Sequence, residues 1–256
     1  MKRTAGKVYL VGAGPGAPDL LTLRAAAVLK RADLVFHDAL VHPEVLALAS
    51  RAEKIAVGKR CGRFATAQQF INKRLVDAAL KHAVVVRLKG GDPMLFGRAQ
   101  EEIAALEADG VPYEVVPGVT SALAAAAESG ISLTQRGVAR SVAFVTARVG
   151  EGAVASTWAQ SAAAADTAVI YMGVGHAAAV AAALIAAGAP RDLPVLVVEN
   201  ASLPGTRRIA LTLEELPRIS QHDISGPTLI MIGRVYAEAL ATASAEPASL
   251  PLCRTA

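Results

Sequence analysis

The chain has 256 residues, 53% of them hydrophobic, a formal net charge of +4, 4% aromatic residues and two cysteines, Cys61 and Cys253. That length suits one large or two small domains, and so few cysteines, so far apart, exclude a disulfide framework or a cysteine-built metal site. Few rings and a modest positive charge do not make a stacking platform for nucleic acid, and suit a small acidic ligand better. Much of the apolar content is alanine, in stretches such as SALAAAAESG and HAAAVAAALIAAGA. None of these holds the roughly 18 to 20 strongly apolar residues that a membrane span needs. The opening MKRTAGKVYLVGAG passes from a basic start straight into strand and turn, without a signal-peptide core. A soluble cytoplasmic protein is expected, with no membrane or nucleic-acid partner and no metal.

In chain order, strands are predicted over Lys7–Val11, Leu34–His37, Lys54–Val57, Val84–Leu88 and Tyr113–Val116, with helical stretches between them. The clearest helix is Ala67–Lys81, opened by Thr66 and Gln69 at capping-box spacing. Before it lies KRCGR, where basic neighbours favour a Cys61 thiolate, but no His or acid stands near in sequence, so Cys61 reads as a bystander. The segment PGVTSALAAAAESGISLTQRG, from Pro117, carries a proline and several glycines and separates a second series of strands. These are Ser141–Thr146, Val169–Met172, Val195–Glu199, Arg207–Leu211 and Thr228–Ile232. Alternating strand and helix predicts two α/β domains with mainly parallel sheets. Their expected ranges are 1–118 and 119–243, followed by a loose tail over 244–256.

Three strand ends carry the motifs. After the first, Gly12, Gly14 and Ala17 satisfy G-x-G-x-x-G/A, and Asp38 closes the second strand where a ribose-binding acid would sit in a dinucleotide fold. Pro15 and Pro18 argue against that use, because a phosphate cradle works through backbone N–H groups that proline lacks. A tight turn with no ligand is the other reading of this segment. The fourth strand ends in Gly90-Gly91-Asp92-Pro93, and the fifth in PGVTSA with Gly118, Thr120 and Ser121. Small residues, hydroxyls and one carboxylate at the carboxyl edge of a parallel sheet suit a neutral or cationic nucleoside.

GAGPG, HDALVHPEVL, VGKRCGR, the helix bearing Gln68, Gln69 and Asn72, VVRLKGGDPMLFGR, VVPGVTSA, GISLTQR and YMG follow one another in this order. With these motifs, residues 7–235 resemble the tetrapyrrole methylases, and the VGKR-x-G stretch points to the branch that methylates uroporphyrinogen III. The resemblance implies a class III methyltransferase: two α/β domains, an active-site cleft between them, and usually a homodimer. It implies transfer of methyl groups from S-adenosylmethionine to carbons 2 and 7 of the tetrapyrrole, giving precorrin-2 for the sirohaem or cobalamin route, with S-adenosylhomocysteine as product. Carried over by position, Pro15, Gly90, Gly91, Asp92, Leu95, Thr120, Ser121, Met172 and Ala201 would line the donor site. Asp38 and Lys59 fall at positions with proton-transfer roles. Arg60, Arg63, Arg98, Arg136, Arg140 and Arg148, with Lys59, are candidates to meet the carboxylates of the substrate.

The sequence departs from the family pattern at His37-Asp38-Ala39, at Ser132 and Gln135 within GISLTQR, at Thr146-Ala147-Arg148 and at Ala201. Losses of basic or titratable groups at Ala39 and Gln135 bear on substrate anchoring, while Arg148 restores one charge. Two rival readings follow: a nicotinamide-dependent oxidoreductase, from Gly12, Gly14, Ala17 and Asp38, and a paralogue with weak or retuned turnover.

Overall fold

Mainly apolar runs such as KVYLVG and VVVRLK are buried at nearly every position, so they form strands covered on both sides. In the computed structural model, which describes residues 5–57, 64–147 and 156–245, the chain divides into two units, Met1–Ala124 and Ala125–Ala256. The first unit holds β1 (Lys7–Gly12), α1 (Leu23–Lys30), β2 (Leu34–His37), α2 (Pro43–Ala47), β3 (Glu53–Ala56), α3 (Phe64–Ala79), β4 (Val84–Lys89), α4 (Ala99–Ala108) and β5 (Tyr113–Val116). Helix α5 (Ser121–Ser129) crosses the division. The expected boundary at Gly118 lies before that helix, in a turn that packs on the first sheet.

All strands of the first sheet are parallel, in the order β3-β2-β4-β1-β5. On one face Tyr9, Val11, Val35, Val86, Leu88 and Val116 pack with Val28, Leu29 and Val45 from α1 and α2. On the other, Val8, Leu10, Phe36 and Val85 pack with Leu75 of α3 and with Ile103 and Leu106 of α4. Register pairs Gly12 with Lys89 and Val11 with Val116, so β4, β1 and β5 end level with one another.

In the second unit β6 (Val142–Thr146), α6 (Trp158–Ala164), β7 (Thr167–Tyr171), α7 (Ala177–Ala186), β8 (Pro194–Glu199), β9 (Arg207–Thr212), β10 (Thr228–Gly233) and α8 (Ala237–Ala245) form a sheet ordered β6-β7-β10-β8-β9. Only β6 and β7 are parallel; β10 runs against β7 and β8, and β9 against β8. The expectation of mainly parallel sheets therefore holds for the first sheet, whereas the second is mixed. The physical reason is the link from β8 to β9, residues 200–206, too short for the dozen or more residues a parallel crossover needs.

Each predicted strand is present, with ends moved by no more than two residues. Met172 lies beyond β7 instead of closing it, in the left-handed region at φ 56, where the chain turns toward Gly173. Helix α3 begins at Phe64, so Thr66 lies inside its first turn and is not the cap that Thr66 and Gln69 predicted. Nothing in FATA stops a helix from propagating backwards. Of the expected tail, 244 and 245 end α8, and the rest lies outside the described residues.

Candidate active site

Because β4 is inserted between β2 and β1, the loops after β4, β1 and β5 are spatial neighbours at one edge. They meet backbone to backbone. A Cβ on Gly12 would lie 2.6 Å from Gly118 Cα and 2.7 Å from the Gly91 carbonyl oxygen. One on Gly118 would lie 2.3 Å from that same oxygen. Ala13 N donates to Lys89 O at 2.7 Å, Gly14 N to Gly91 O at 3.2 Å and Gly91 N to Gly14 O at 2.7 Å, with Gly14 at φ 72 and Gly91 at φ 67.

These bonds decide the first motif. The N–H groups of Ala13 and Gly14 are spent on β4 and the turn after it, Pro15 has none, and the chain leads into a 3₁₀ segment, Pro18–Leu20, before α1 starts at Leu23 behind its Thr22 cap. A pyrophosphate would find neither a nest nor a helix N-terminus there. The sheet order also differs from the 3-2-1 arrangement of dinucleotide halves. The oxidoreductase reading loses its physical basis.

Asp92 clamps two of the loops: Oδ1 accepts Met94 N at 2.8 Å and Oδ2 accepts Gly118 N at 2.9 Å. Its carboxylate organises the GGDP and PGVT turns as well as facing the edge. Leu95 N donates to Asp92 O at 3.3 Å, and Thr120 O accepts from Leu123 N and Ala124 N to start α5 ahead of Ser121. The first unit thus brings Pro15, Gly90, Gly91, Asp92, Leu95, Thr120 and Ser121 to three adjoining strand ends. In the second unit, Met172 follows β7 and the buried Ala201 follows β8, two strands running the same way, so both residues sit at one edge of that sheet.

Asp38 follows β2, beside β4. Its backbone N donates to Leu88 O at 3.2 Å, and its Oδ1 receives Arg87 Nη2 at 2.5 Å. Arg87 belongs to a buried cluster absent from the sequence reading. Arg87, Lys89 and Glu102 are 3%, 3% and 0% exposed. Arg87 Nε donates to Glu102 Oε1 at 2.8 Å, Lys89 Nζ to Oε2 at 3.0 Å, and Gln68 Nε2 to Oε1 at 3.4 Å. Burial pushes Arg87 down, but the Asp38 and Glu102 carboxylates outweigh it and hold the guanidinium above its ordinary value. Burial, aided by Arg87, holds the Lys89 ammonium below 10.5 despite Glu102. The signal was present in VVVRLK: two charges at alternate positions of an apolar strand point to one face of the sheet.

Arg98, at φ 56 ahead of α4, is bound through two 2.7 Å bonds to Glu101. Arg136 and Arg140 are exposed in the second unit, as are Ala39 and Gln135 in their respective units. Lys59, Arg60, Cys61, Arg63, Arg148 and Cys253 lie outside the described residues. Among the described residues no helix is long and apolar enough to cross a membrane.

Glu102→Gln removes the carboxylate that both cations share. Breaking a buried ion pair costs about 3–5 kcal/mol, so the urea midpoint at neutral pH falls. Lys89 also loses a group that raises it and drops further below 10.5. The folded variant then carries fewer protons than its unfolded chain over a wider range, and stability rises with pH across that range. The deficit against the parent narrows as pH rises toward the ordinary lysine value of 10.5; urea titrations giving a deficit that widens would overturn the cluster's charge assignment.

The family profile described as Tetrapyrrole (Corrin/Porphyrin) Methylases matches residues 7–217. Siroheme synthase of Pseudomonas fluorescens is 45% identical over 234 residues, covering 91% of this chain and 50% of that protein. Siroheme synthase of Nitrosococcus oceani is 47% identical over 234 residues with the same coverage, so the chain spans about half the length of these relatives. Among solved structures, a uroporphyrin-III C-methyl transferase of Thermus thermophilus complexed with S-adenyl homocysteine is 45% identical at TM-score 0.80, covering 91% of this chain and all of that one. A cobalt precorrin-4 methyltransferase is 28% identical at TM-score 0.75, over 90% of this chain and 95% of its own. With the family profile running from the first strand into the second unit and both sheets matched, the chain belongs to the tetrapyrrole methylases.

Proposed function

We propose that the chain transfers methyl groups from S-adenosylmethionine to carbons 2 and 7 of uroporphyrinogen III, producing precorrin-2 and S-adenosylhomocysteine. The observation that carries this reading is a contrast among glycines at one sheet edge. Gly12 and Gly118 have no room for a Cβ, which the packing of the loops explains. Gly90 needs no such explanation: its Cβ would meet nothing closer than Leu40 Cβ at 3.4 Å, and its φ is not left-handed. Backbone whose nearest neighbour across the gap is one side chain, and no backbone, suits the close approach of a flat nucleoside, and a relative with the same fold is complexed with S-adenyl homocysteine. The homodimer that the family resemblance implies, and the cytoplasmic location expected from the sequence, belong to the same proposal.

The donor supplies an electrophilic methyl on a sulfonium sulfur. The new carbon–carbon bond forms as the sulfur–carbon bond breaks, the electron pair stays on sulfur, and the tetrapyrrole loses a proton. Charge disperses in this step, so alignment and exclusion of water supply most of what the protein must provide. In the proposal, Pro15, Gly90, Gly91, Leu95, Thr120 and Ser121 receive the donor on the loops clamped by Asp92, and Met172 and Ala201 are further donor-site residues. Asp38 accepts the proton, and Lys59 assists in proton transfer. Arg60, Arg63, Arg98, Arg136, Arg140 and Arg148 supply cations for the substrate's carboxylates.

Gly90→Ala separates ligand space from packing. It leaves the fold intact or steadier by about 0.4–1 kcal/mol, while calorimetry with S-adenosylhomocysteine reads at least about a tenfold loss of affinity, near 1.4 kcal/mol. Gly118→Ala, by contrast, lowers the melting temperature. Equal donor affinity in Gly90→Ala and the parent would remove Gly90 from the site. Asp38→Asn keeps the shape of the side chain and removes the base, so kcat for methylation of uroporphyrinogen III under reducing conditions falls by about 10²–10⁴ while donor affinity holds. Parallel losses in both quantities would make Asp38 a binding residue instead.

A further inference from the structure

We propose that Arg87 is a positioning residue for the methylation: anchored from behind by Glu102, it fixes the Asp38 carboxylate in one orientation at the sheet edge. The inference rests on the reading of Asp38 as the proton acceptor. Arg87 lies inside β4 and is 3% exposed, so it reaches the chemistry only through another group. Register sets Arg87 opposite Phe36 and Leu88 opposite His37, which places the guanidinium beneath the residue that follows β2.

All three guanidinium nitrogens are engaged. Nε is held by Glu102 Oε1 at 2.8 Å, Nη1 by Leu88 O at 3.3 Å, and Nη2 donates to Asp38 Oδ1 at 2.5 Å. Glu102 is itself immobilised, since Lys89 bonds both of its oxygens at 3.1 and 3.0 Å and Gln68 adds a third donor. Gln68 in turn is tied to Asn72 at 2.9 Å, and Asn72 to Glu101 O at 3.0 Å, so α3 and α4 back the arrangement together.

Asp38 is therefore gripped at two points from one strand, by its main chain through Leu88 and by one oxygen through Arg87. No hydrogen bond from the described residues reaches Oδ2, and the side chain is 32% exposed. One oxygen is fixed and the other is presented. Relative to apolar packing, a buried set of ion pairs adds little net stability, but a planar guanidinium held on three sides imposes direction on a carboxylate. Direction matters because a displacement of about 1 Å at a reacting group costs on the order of a hundredfold in rate.

The test is a double-substitution cycle on the full chain. Arg87→Gln and Arg87→Lys are each made with Asp38 present and in Asp38→Asn, and single-turnover methylation of uroporphyrinogen III and affinity for S-adenosylhomocysteine are measured. With Asp38 present, Arg87→Gln slows turnover by about 10- to 100-fold with donor affinity nearly unchanged, and Arg87→Lys recovers part of the rate. In Asp38→Asn, the same Arg87 substitutions change the rate by less than about threefold, because the group through which Arg87 acts is gone. Equal fold-losses in both backgrounds would overturn the positioning role, since a structural defect does not need Asp38. An unchanged rate in Asp38→Asn alone would instead defeat the reading of Asp38. If Arg87→Gln yields no folded protein, Arg87→Lys and Glu102→Gln complete the same cycle.

Discussion

The carboxyl edge of the first sheet depends on the mutual approach of Gly12, Gly91 and Gly118, whose main chains lie so close that a single methyl group on Gly12 or Gly118 would overlap a neighbour's backbone. Contact at this range is open only to residues without a Cβ. It brings the ends of β4, β1 and β5 level and lets Gly14 and Gly91 exchange two backbone bonds. It also sets Gly118 N where Asp92 can accept its hydrogen. Remove that approach and the GGDP and PGVT turns lose their common footing.

The strand order turns this local contact into a site. With β4 between β2 and β1, a single strand carries the GGDP turn at its end and, just before it, Lys89 and Arg87, both bonded to Glu102 under the sheet, with Arg87 reaching Asp38 as well. The loop proposed to receive the donor and the carboxylate proposed to accept the proton share one support. Glu102 supplies the counter-charge from α4, and its complete burial is sustainable only because Arg87, Lys89 and Gln68 all reach it.

Strand positions in both units were legible in the sequence because apolar runs bounded by glycine, proline and acidic turns leave little choice of element. The parallel direction of the first sheet was legible for the same reason, since helices fill each link between its strands. The mixed second sheet was concealed by equally apolar strands, and only the short link over 200–206 carried information about direction. At the site, GAGPG, GGDP and PGVT could be placed at strand ends, but not the use of their backbone groups. Whether Gly12 serves a phosphate or another glycine depends on β4 lying beside β1, a long-range fact. Asp92 was legible as an important carboxylate, while its role as a clamp on Gly118 N depends on a residue 26 positions away. Arg87 and Lys89 were visible as charges in an apolar strand, yet their partner Glu102 sits among several acids of α4 that no local pattern distinguishes.

The proposed substrate is rich in carboxylates, and the described cations differ in how readily they can turn to it. Arg98 is closed by a two-bond pair with Glu101, with side chains 43% and 50% exposed. An exposed pair of this kind is worth only about 0.2–1 kcal/mol, so a ligand carboxylate of similar geometry can displace Glu101 at little cost. Arg87 is the opposite case, since leaving its partners would strand the fully buried Glu102 with one donor fewer. Among the described residues no carboxylate lies within ion-pair distance of the exposed Arg136 and Arg140 guanidinium groups, and Arg140 acts on Asp166 through charge only at longer range. The division follows from burial: the exposed cations that can exchange partners are the ones open to the proposed substrate, and the buried Arg87 is committed to Asp38 and Glu102.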